Sequence, residues 1–309
     1  MIITATPLRV SLLGGNTDFP EYFEKHGGAV LTTTIDKYVY CIVKKRFDDE
    51  IWINYSIKEK VKRVEDIKHD IVRVAMKMVG IKKGIEITFL SDIPSEGSGL
   101  GSSSAVAVGV LNALYTYKGE NVSANYLAKQ ACYIEIVALK KPIGYQDQFA
   151  VAHGGFNLIE FTDIVKVLPI DPKEIEDYFM LLYTGKTRKS EKILSKMKLD
   201  KEILDKVKGE IYQKLDNITD PTILGDLLER YWVFKKLLNK TVTNKAIDKM
   251  HTNTLKAGAW GGKIVGAGGG GFMLLVVTPE RKKDVRALGY KELPFKLSKY
   301  GSRVIFNIT

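Results

Sequence analysis

Hydrophobic positions in this chain change period along its length, and the changes outline its elements. Residues 2–13 alternate around Pro7 and predict two short strands, the second Arg9-Val-Ser-Leu-Leu13. Gly14-Gly-Asn-Thr-Asp-Phe-Pro20 has the composition of a turn, and residues 21–26 fit one helical turn before Gly27-Gly28. The apolar run over 29–44 predicts one or two strands, and 51–55 with 59–64 a hairpin. Period 3.6 then appears at Ile71, Val74, Ala75 and Met78, predicting a helix over Asp70–Val79. A strand over 85–90 leads into Pro94-Ser-Glu-Gly-Ser-Gly-Leu-Gly-Ser-Ser-Ser-Ala105 and an almost uncharged helix to Tyr117. Ser123 caps a second helix over 124–139, stopped by Pro142 and Gly144. Strands follow at Phe156–Phe161 and Phe179–Tyr183, then charged amphipathic helices to about Lys256. A glycine-rich hairpin over 263–277, a helix near Arg281 and two strands within 292–307 close the chain. The change in character near 165 places a domain boundary at 160–175.

The stretch 94–105 dominates this pattern. Glycines at every second position allow φ > 0 and leave no Cβ to keep a ligand away. The unpaired N–H groups and positive dipole end of the following helix attract an anion. The stretch is therefore a phosphate cradle, the plain alternative being a flexible surface loop. A Walker loop would place a lysine after Gly101, and serines stand there instead. A formal G-x-G-x-x-G at Gly266, Gly268 and Gly271 runs into a strand rather than a helix, which excludes the dinucleotide fold. Those glycines form a tight crossing that is structural or lines a ligand cleft.

Composition narrows the partners. The 309 residues, 45% hydrophobic, suffice for one large domain or two ordinary ones. A formal charge of +11 favours anionic partners, but the cations are spread and alternate with acids, as on solvated helix faces. A phosphorylated small molecule fits better than nucleic acid. No apolar run reaches the roughly 18 residues of a membrane span, and no leader pattern opens the sequence. Cys41 and Cys132 sit in apolar surroundings and read as reduced core residues of a cytoplasmic protein. The four histidines have no metal-ligand spacing.

Two carboxylates carry candidate chemistry. Glu135 faces Ala131, Cys132, Ala138 and Leu139 on its predicted helix, so it is expected to be buried and to need a Mg²⁺ ion or a basic side chain as partner. Asp147, beyond Pro142 and Gly144, is expected in a turn that aims it into a cleft, unless it is a helix N-cap. Arg9 and Asp18 bracket the first glycine turn.

Three segments in order, Pro7 to Asp18, Pro94 to Ala105 and Lys263 to Phe272, resemble the motifs of the GHMP sugar and isoprenoid kinases, and the likeness runs over nearly the whole chain. Within that superfamily, the segments Gly14 to Phe23, Gly27 to Val39, Tyr145-Gln-Asp-Gln148, Tyr183-Thr-Gly185 and Gly266 to Met273 resemble D-glycero-D-manno-heptose 7-phosphate kinases. The resemblance implies an α+β, two-domain fold: a ribosomal protein S5 domain 2-like ATP-binding domain over 1–165 and a ferredoxin-like domain over 166–309. It also implies ATP- and Mg²⁺-dependent phosphorylation of the heptose 7-phosphate at its C1 hydroxyl. Gly97, Ser98, Gly99, Leu100, Gly101, Ser102, Ser103 and Ser104 would wrap the ATP phosphates, and Ser103 and Glu135 would hold Mg²⁺. Asp147 would take or orient the acceptor proton, and Arg9 would offset charge on the transferred phosphoryl group. Gly15, Asn16, Thr17 and Asp18 would bind the sugar, Arg188, with Lys186 and Lys189, its phosphate, and Gly268, Gly269 and Gly270 would line the cleft. Galactokinases carry Glu-His-Thr-Asp where this chain has Gly15-Asn16-Thr17-Asp18, a departure that argues against galactose. The implied partners are ATP and a sugar phosphate, without nucleic acid or membrane, in a monomer or homodimer. Competing expectations are a kinase for fucose or a hexose, and a non-catalytic nucleotide or nucleic-acid binder.

Overall fold

A computed structural model describes residues 1–93, 97–173, 175–187 and 190–308. The strands are β1 (Ile2–Leu13), β2 (Gly28–Lys45), β3 (Ile51–Asn54), β4 (Lys58–Val61), β5 (Ile85–Ser91), β6 (Phe156–Phe161), β7 (Lys166–Pro169), β8 (Phe179–Tyr183), β9 (Ala259–Ile264), β10 (Phe272–Val277) and β11 (Arg303–Asn307). Five helices belong with the first sheet: α1 (Pro20–His26), α2 (Asp70–Val79), α3 (Ser102–Tyr117), α4 (Ala124–Cys132) and α5 (Gln146–His153).

Residues 2–13 form one strand rather than two. A register break between Pro7 and Leu8 accommodates the proline without ending the ladder. β2 is likewise a single strand, bound along β1 and on its other edge first to β6 and then to β5. Neighbours on both edges and burial of every residue from Gly28 to Ile35 account for its unbroken apolar run. α3 lies on β1 and β2 with almost every side chain small or aliphatic. Its Gly109 lets the helix approach so closely that a Cβ there would stand 2.8 Å from Thr6 Oγ1.

The first sheet has eight strands, in the order β11-β1-β2-β5-β3-β4 with β6 on β2 and β7 on β6. Two of these strands come from beyond the expected boundary. β7 begins after residue 165 yet pairs with β6, and β11 crosses back from the end of the chain to the outer edge of β1. The crossing is anchored by Ser298 N–H to Thr34 O at 2.9 Å and by the Thr6 and Ser302 hydroxyls at 2.8 Å. Residues 166–169 and 303–307 thus complete the first sheet, and the second sheet draws only on strands that lie between them in the chain. Of the two late strands expected, the first is reduced to single bridges at Glu292 and Leu297.

The second sheet is antiparallel, β8-β10-β9, and Glu292 bridges to Leu182 on the free side of β8. With helices Pro221–Leu238 and Lys282–Arg286 in the crossovers, this is the ferredoxin-like βαββαβ arrangement. Alternation splits its side chains. Leu181, Leu274 and Val276 join the apolar core shared with the first domain, whereas Met180, Leu182, Met273 and Leu275 pack with Trp232 and Met250 on the other face. One continuous core thus fixes the two domains against each other, with the cleft at their junction. No helix among the described residues is long and apolar enough to cross a membrane.

Candidate active site

A cleft of about 610 Å³ opens between the domains, lined by the glycine loop, the first turn, the start of α5 and the strand end at Gly266. Gly97, Gly99 and Gly101 all have positive φ (73°, 79° and 76°), as their spacing predicts. A Cβ on Gly99 would stand 2.9 Å from Val265 O, and one on Gly266 would stand 2.6 Å from Gly99 O. Two backbones therefore touch where the domains meet, which only glycine permits. Gly101 caps α3, so the N–H groups of Ser102, Ser103 and Ser104 have no partner one turn earlier and open toward the cleft. Leu100 differs from its neighbours. Its side chain is fully buried, its carbonyl accepts from Arg9 N–H at 2.9 Å, and its own N–H donates to Ser98 Oγ at 3.3 Å.

Glu135 is fully buried, as its apolar neighbours predict, but the helix carrying it is not regular. α4 ends at Cys132 and the chain widens into a π-helical turn, Tyr133–Ala138. Such turns commonly mark functional positions. Its carboxylate accepts from Ser103 Oγ at 2.5 Å, Ser104 Oγ at 2.7 Å, Gln148 Nε2 at 2.7 Å and Lys141 Nζ at 3.3 Å. A hydroxyl and a carboxylate beside a phosphate loop form an all-oxygen donor pair. Mg²⁺ favours such a pair when substrate phosphates and water complete its shell. Among the described residues no group of three His, Cys, Asp or Glu is clustered for a metal, so any such ion would draw its remaining ligands from elsewhere.

Asp147 lies in the first turn of α5 rather than in a turn before it. Arg9, from β1, grips it with both arms: Nε to Oδ1 at 2.6 Å and Nη2 to Oδ2 at 2.5 Å. The third guanidinium nitrogen donates to Gly99 O at 2.7 Å, which ties the pair to the phosphate loop. Both line the cleft, and Asp147, 24% exposed against 5% for Arg9, is the more open of the two. Such a two-point fork fixes the carboxylate's plane as well as its charge.

Asp18 closes the opposite wall. It accepts from Asn16 N–H at 2.9 Å and Gln146 N–H at 3.1 Å, and burial pushes its carboxyl up to about 6. Gly144 is required beside it, since a Cβ there would stand 2.0 Å from Asp18 Oδ2. Gly15 and Asn16 line the cleft with Asp18, and Asn16 holds φ 79°. Thr17 does not. Its hydroxyl is turned into the protein, donating to Gly14 O at 2.7 Å and Ala29 O at 2.9 Å. Gly266 and Ala267 line the cleft where Gly268, Gly269 and Gly270 were expected. Gly268 instead packs on Val242, and Gly269 N–H donates to Val242 O at 2.5 Å. Arg188 and Lys189 lie outside the described residues. Lys186 is exposed and accepts at its carbonyl from Gly271 N–H, 2.8 Å.

Sequence reasoning passed over several residues of this cleft. Lys263 is 1% exposed, donates to Ser11 O at 2.8 Å and sits 5.2 Å from the Tyr231 ring. Burial first, and then the Arg9 guanidinium, pull its ammonium down to about 7. Lys235 donates to Ile264 O at 3.1 Å and to Gly266 O. Tyr231 donates to Gly15 O at 2.8 Å. A lysine inside an otherwise apolar strand was the available signal for Lys263. Lys141, in a run of two lysines, had none.

The sequence pattern of the GHMP kinases N terminal domain matches residues 64–155, and that of the GHMP kinases C terminal domain residues 212–290. The D-glycero-alpha-D-manno-heptose 7-phosphate kinase of Campylobacter jejuni is 31% identical over 92% of this chain and 91% of its own length. The mevalonate kinase of Thermococcus sibiricus is 24% identical over 98% of each. The crystal structure of a D-glycero-D-manno-heptose 1-phosphate kinase from Bacteriodes thetaiotaomicron superposes with a TM-score of 0.83 at 26% identity, covering 100% of both chains. Cradle, cleft and the matched halves agree: the chain belongs to the GHMP kinases and is a sugar kinase, a phosphotransferase acting on an alcohol group.

Proposed function

We propose that the protein transfers the γ-phosphoryl group of ATP to the C1 hydroxyl of D-glycero-D-manno-heptose 7-phosphate, giving the 1,7-bisphosphate and ADP. The observation that carries this reading is the Arg9–Asp147 fork, joined through Arg9 to the carbonyl of Gly99 in the phosphate loop. It sets a carboxylate and a cation side by side at the junction of donor and acceptor halves. In the transfer, Asp147 accepts the hydroxyl proton as the sugar oxygen bonds to the γ-phosphorus and the bond to the ADP oxygen breaks. Arg9 and the N–H groups of Ser102 to Ser104 lie where charge on the phosphoryl oxygens would be met. Bound Mg²⁺, held by Ser103 and Glu135, would supply neutralisation of the β- and γ-phosphates. Asp18, Asn16 and the Gly15 backbone orient the sugar.

The substrate follows from likeness and charge together. The Campylobacter jejuni relative is a heptose 7-phosphate kinase, and basic side chains line the cleft at Arg9, Lys141 and Lys235. A doubly anionic sugar suits such walls better than a neutral hexose. The Bacteriodes thetaiotaomicron protein supplies a second reading, since it is a kinase of the heptose 1-phosphate. An ADP-coupled assay with the heptose 7-phosphate, the heptose 1-phosphate, fucose, mannose and galactose separates these readings. The expected result is the highest kcat/KM on the 7-phosphate, by about 100-fold or more over any unphosphorylated sugar. Faster turnover of a neutral hexose or of the 1-phosphate overturns the assignment.

A further inference from the structure

The ammonium of Lys141 stands 3.0 Å from Ser103 Oγ and 3.3 Å from Glu135 Oε1. Those are the two oxygens that, in the reading above, hold Mg²⁺, and this inference rests on that reading. An ion bound by both would lie about 2.1 Å from each. The lysine and the metal therefore compete for the same lone pairs, and the two cations repel at close range.

The backbone is shaped to put the lysine there. Past the π-helical turn, Lys140 adopts φ 53°, a left-handed conformation unusual for a residue with a side chain. That turn reverses the chain, and Lys141 N–H donates to Glu135 O at 2.9 Å, stacking Lys141 directly on the residue whose carboxylate it meets. Its side chain is 15% exposed and lines the cleft, whereas that of Glu135 is fully buried. The ammonium thus reaches the carboxylate from the side on which nucleotide would enter. A surface lysine held by chance against an acid would need neither the strained residue nor the second contact to the serine.

We propose that Lys141 is the exchangeable counter-ion of the metal pair. Without nucleotide it keeps Glu135 and Ser103 oriented and excludes free divalent cations. When the metal arrives on ATP, the ammonium yields the two oxygens and turns its donors to the phosphates at the cleft mouth. Metal binding is thereby made conditional on nucleotide. Lys141 is a positioning residue in this account rather than one that reacts.

The test is titration of Mn²⁺ into the nucleotide-free protein by calorimetry, on the wild type, Lys141→Met, Lys141→Gln and each lysine variant combined with Glu135→Gln. Thermal melting checks that every variant is folded. Both lysine variants are expected to bind Mn²⁺ about tenfold more tightly than the wild type, and to lose that gain when Glu135→Gln is added. Affinity unchanged or weakened in folded Lys141→Met and Lys141→Gln, with binding still dependent on Glu135, overturns the counter-ion role and leaves the metal pair standing. Tightened binding that survives Glu135→Gln overturns the metal pair itself, and the proposal with it.

Discussion

Asp18 carries a carboxyl held well above its ordinary range. Burial raises its carboxyl from 3.8 to about 6, against the lowering effect of the Gln146 backbone N–H. Between those two pH values the folded protein holds the proton more firmly than the unfolded chain. Stability therefore falls as pH rises through that window, and ionised Asp18 costs about 3 kcal/mol at pH 7. A group kept at such cost is retained for what it binds. Asp18→Asn removes the charge but gives up an acceptor for one of the two backbone N–H groups. Its melting temperature relative to wild type is expected to rise by several degrees between pH 4.5 and pH 7.5, while sugar KM increases. A stability difference that does not change with pH contradicts the assignment. At this scale the sequence was most readable where neighbours are local. The burial of Glu135 followed from the small and apolar residues around it on one helix face. The inward turn of the Thr17 hydroxyl onto Gly14 O and Ala29 O was not legible, because composition does not reveal the positive φ of Asn16 before it.

Among the elements, the loop pair Gly97 to Gly101 and Val265 to Gly271 joins donor site to second domain. A methyl group on Gly266 meets the Gly99 carbonyl at 2.6 Å, from a residue at φ 60°. The obstacle is backbone, and the same carbonyl receives Arg9 Nη1. Gly266→Ala is expected to lose about 1–3 kcal/mol of stability and to lower kcat about tenfold or more through a displaced Arg9. Gly209→Ala, in the helix Lys201–Gln213 with nothing within 4 Å of the added Cβ, is the control. It should gain about 0.5–1 kcal/mol with turnover unchanged. Paired urea denaturation and steady-state kinetics check both. Equal effects of the two substitutions would remove the loop contact from the account. Helices and strands with strong periodicity, such as α2 and β5, were legible. The π-helical turn was not, because one inserted residue leaves the apolar pattern around Glu135 almost unchanged.

The molecule as a whole is an N-terminal and a C-terminal GHMP kinase domain around one shared core. The change in composition near 165 falls just before β7, which together with β11 joins the first sheet from beyond that point. Strand pairing is non-local, and β11 is a wholly exposed edge strand whose burial gives no alternation to read. The order of the three glycine-bearing segments carried the functional reading further than any single residue could. The fold brings them to one cleft, with Arg9 from the first, the cradle from the second and Gly266 from the third within contact of each other. That convergence is the central claim, and Asp147 is where it is most exposed to test. Steady-state turnover of heptose 7-phosphate by Asp147→Asn is the direct measurement. The account predicts kcat lowered by about 10³-fold with the KM for ATP within about threefold of wild type, since the cradle is untouched. Turnover within about tenfold of wild type in the folded variant would contradict it.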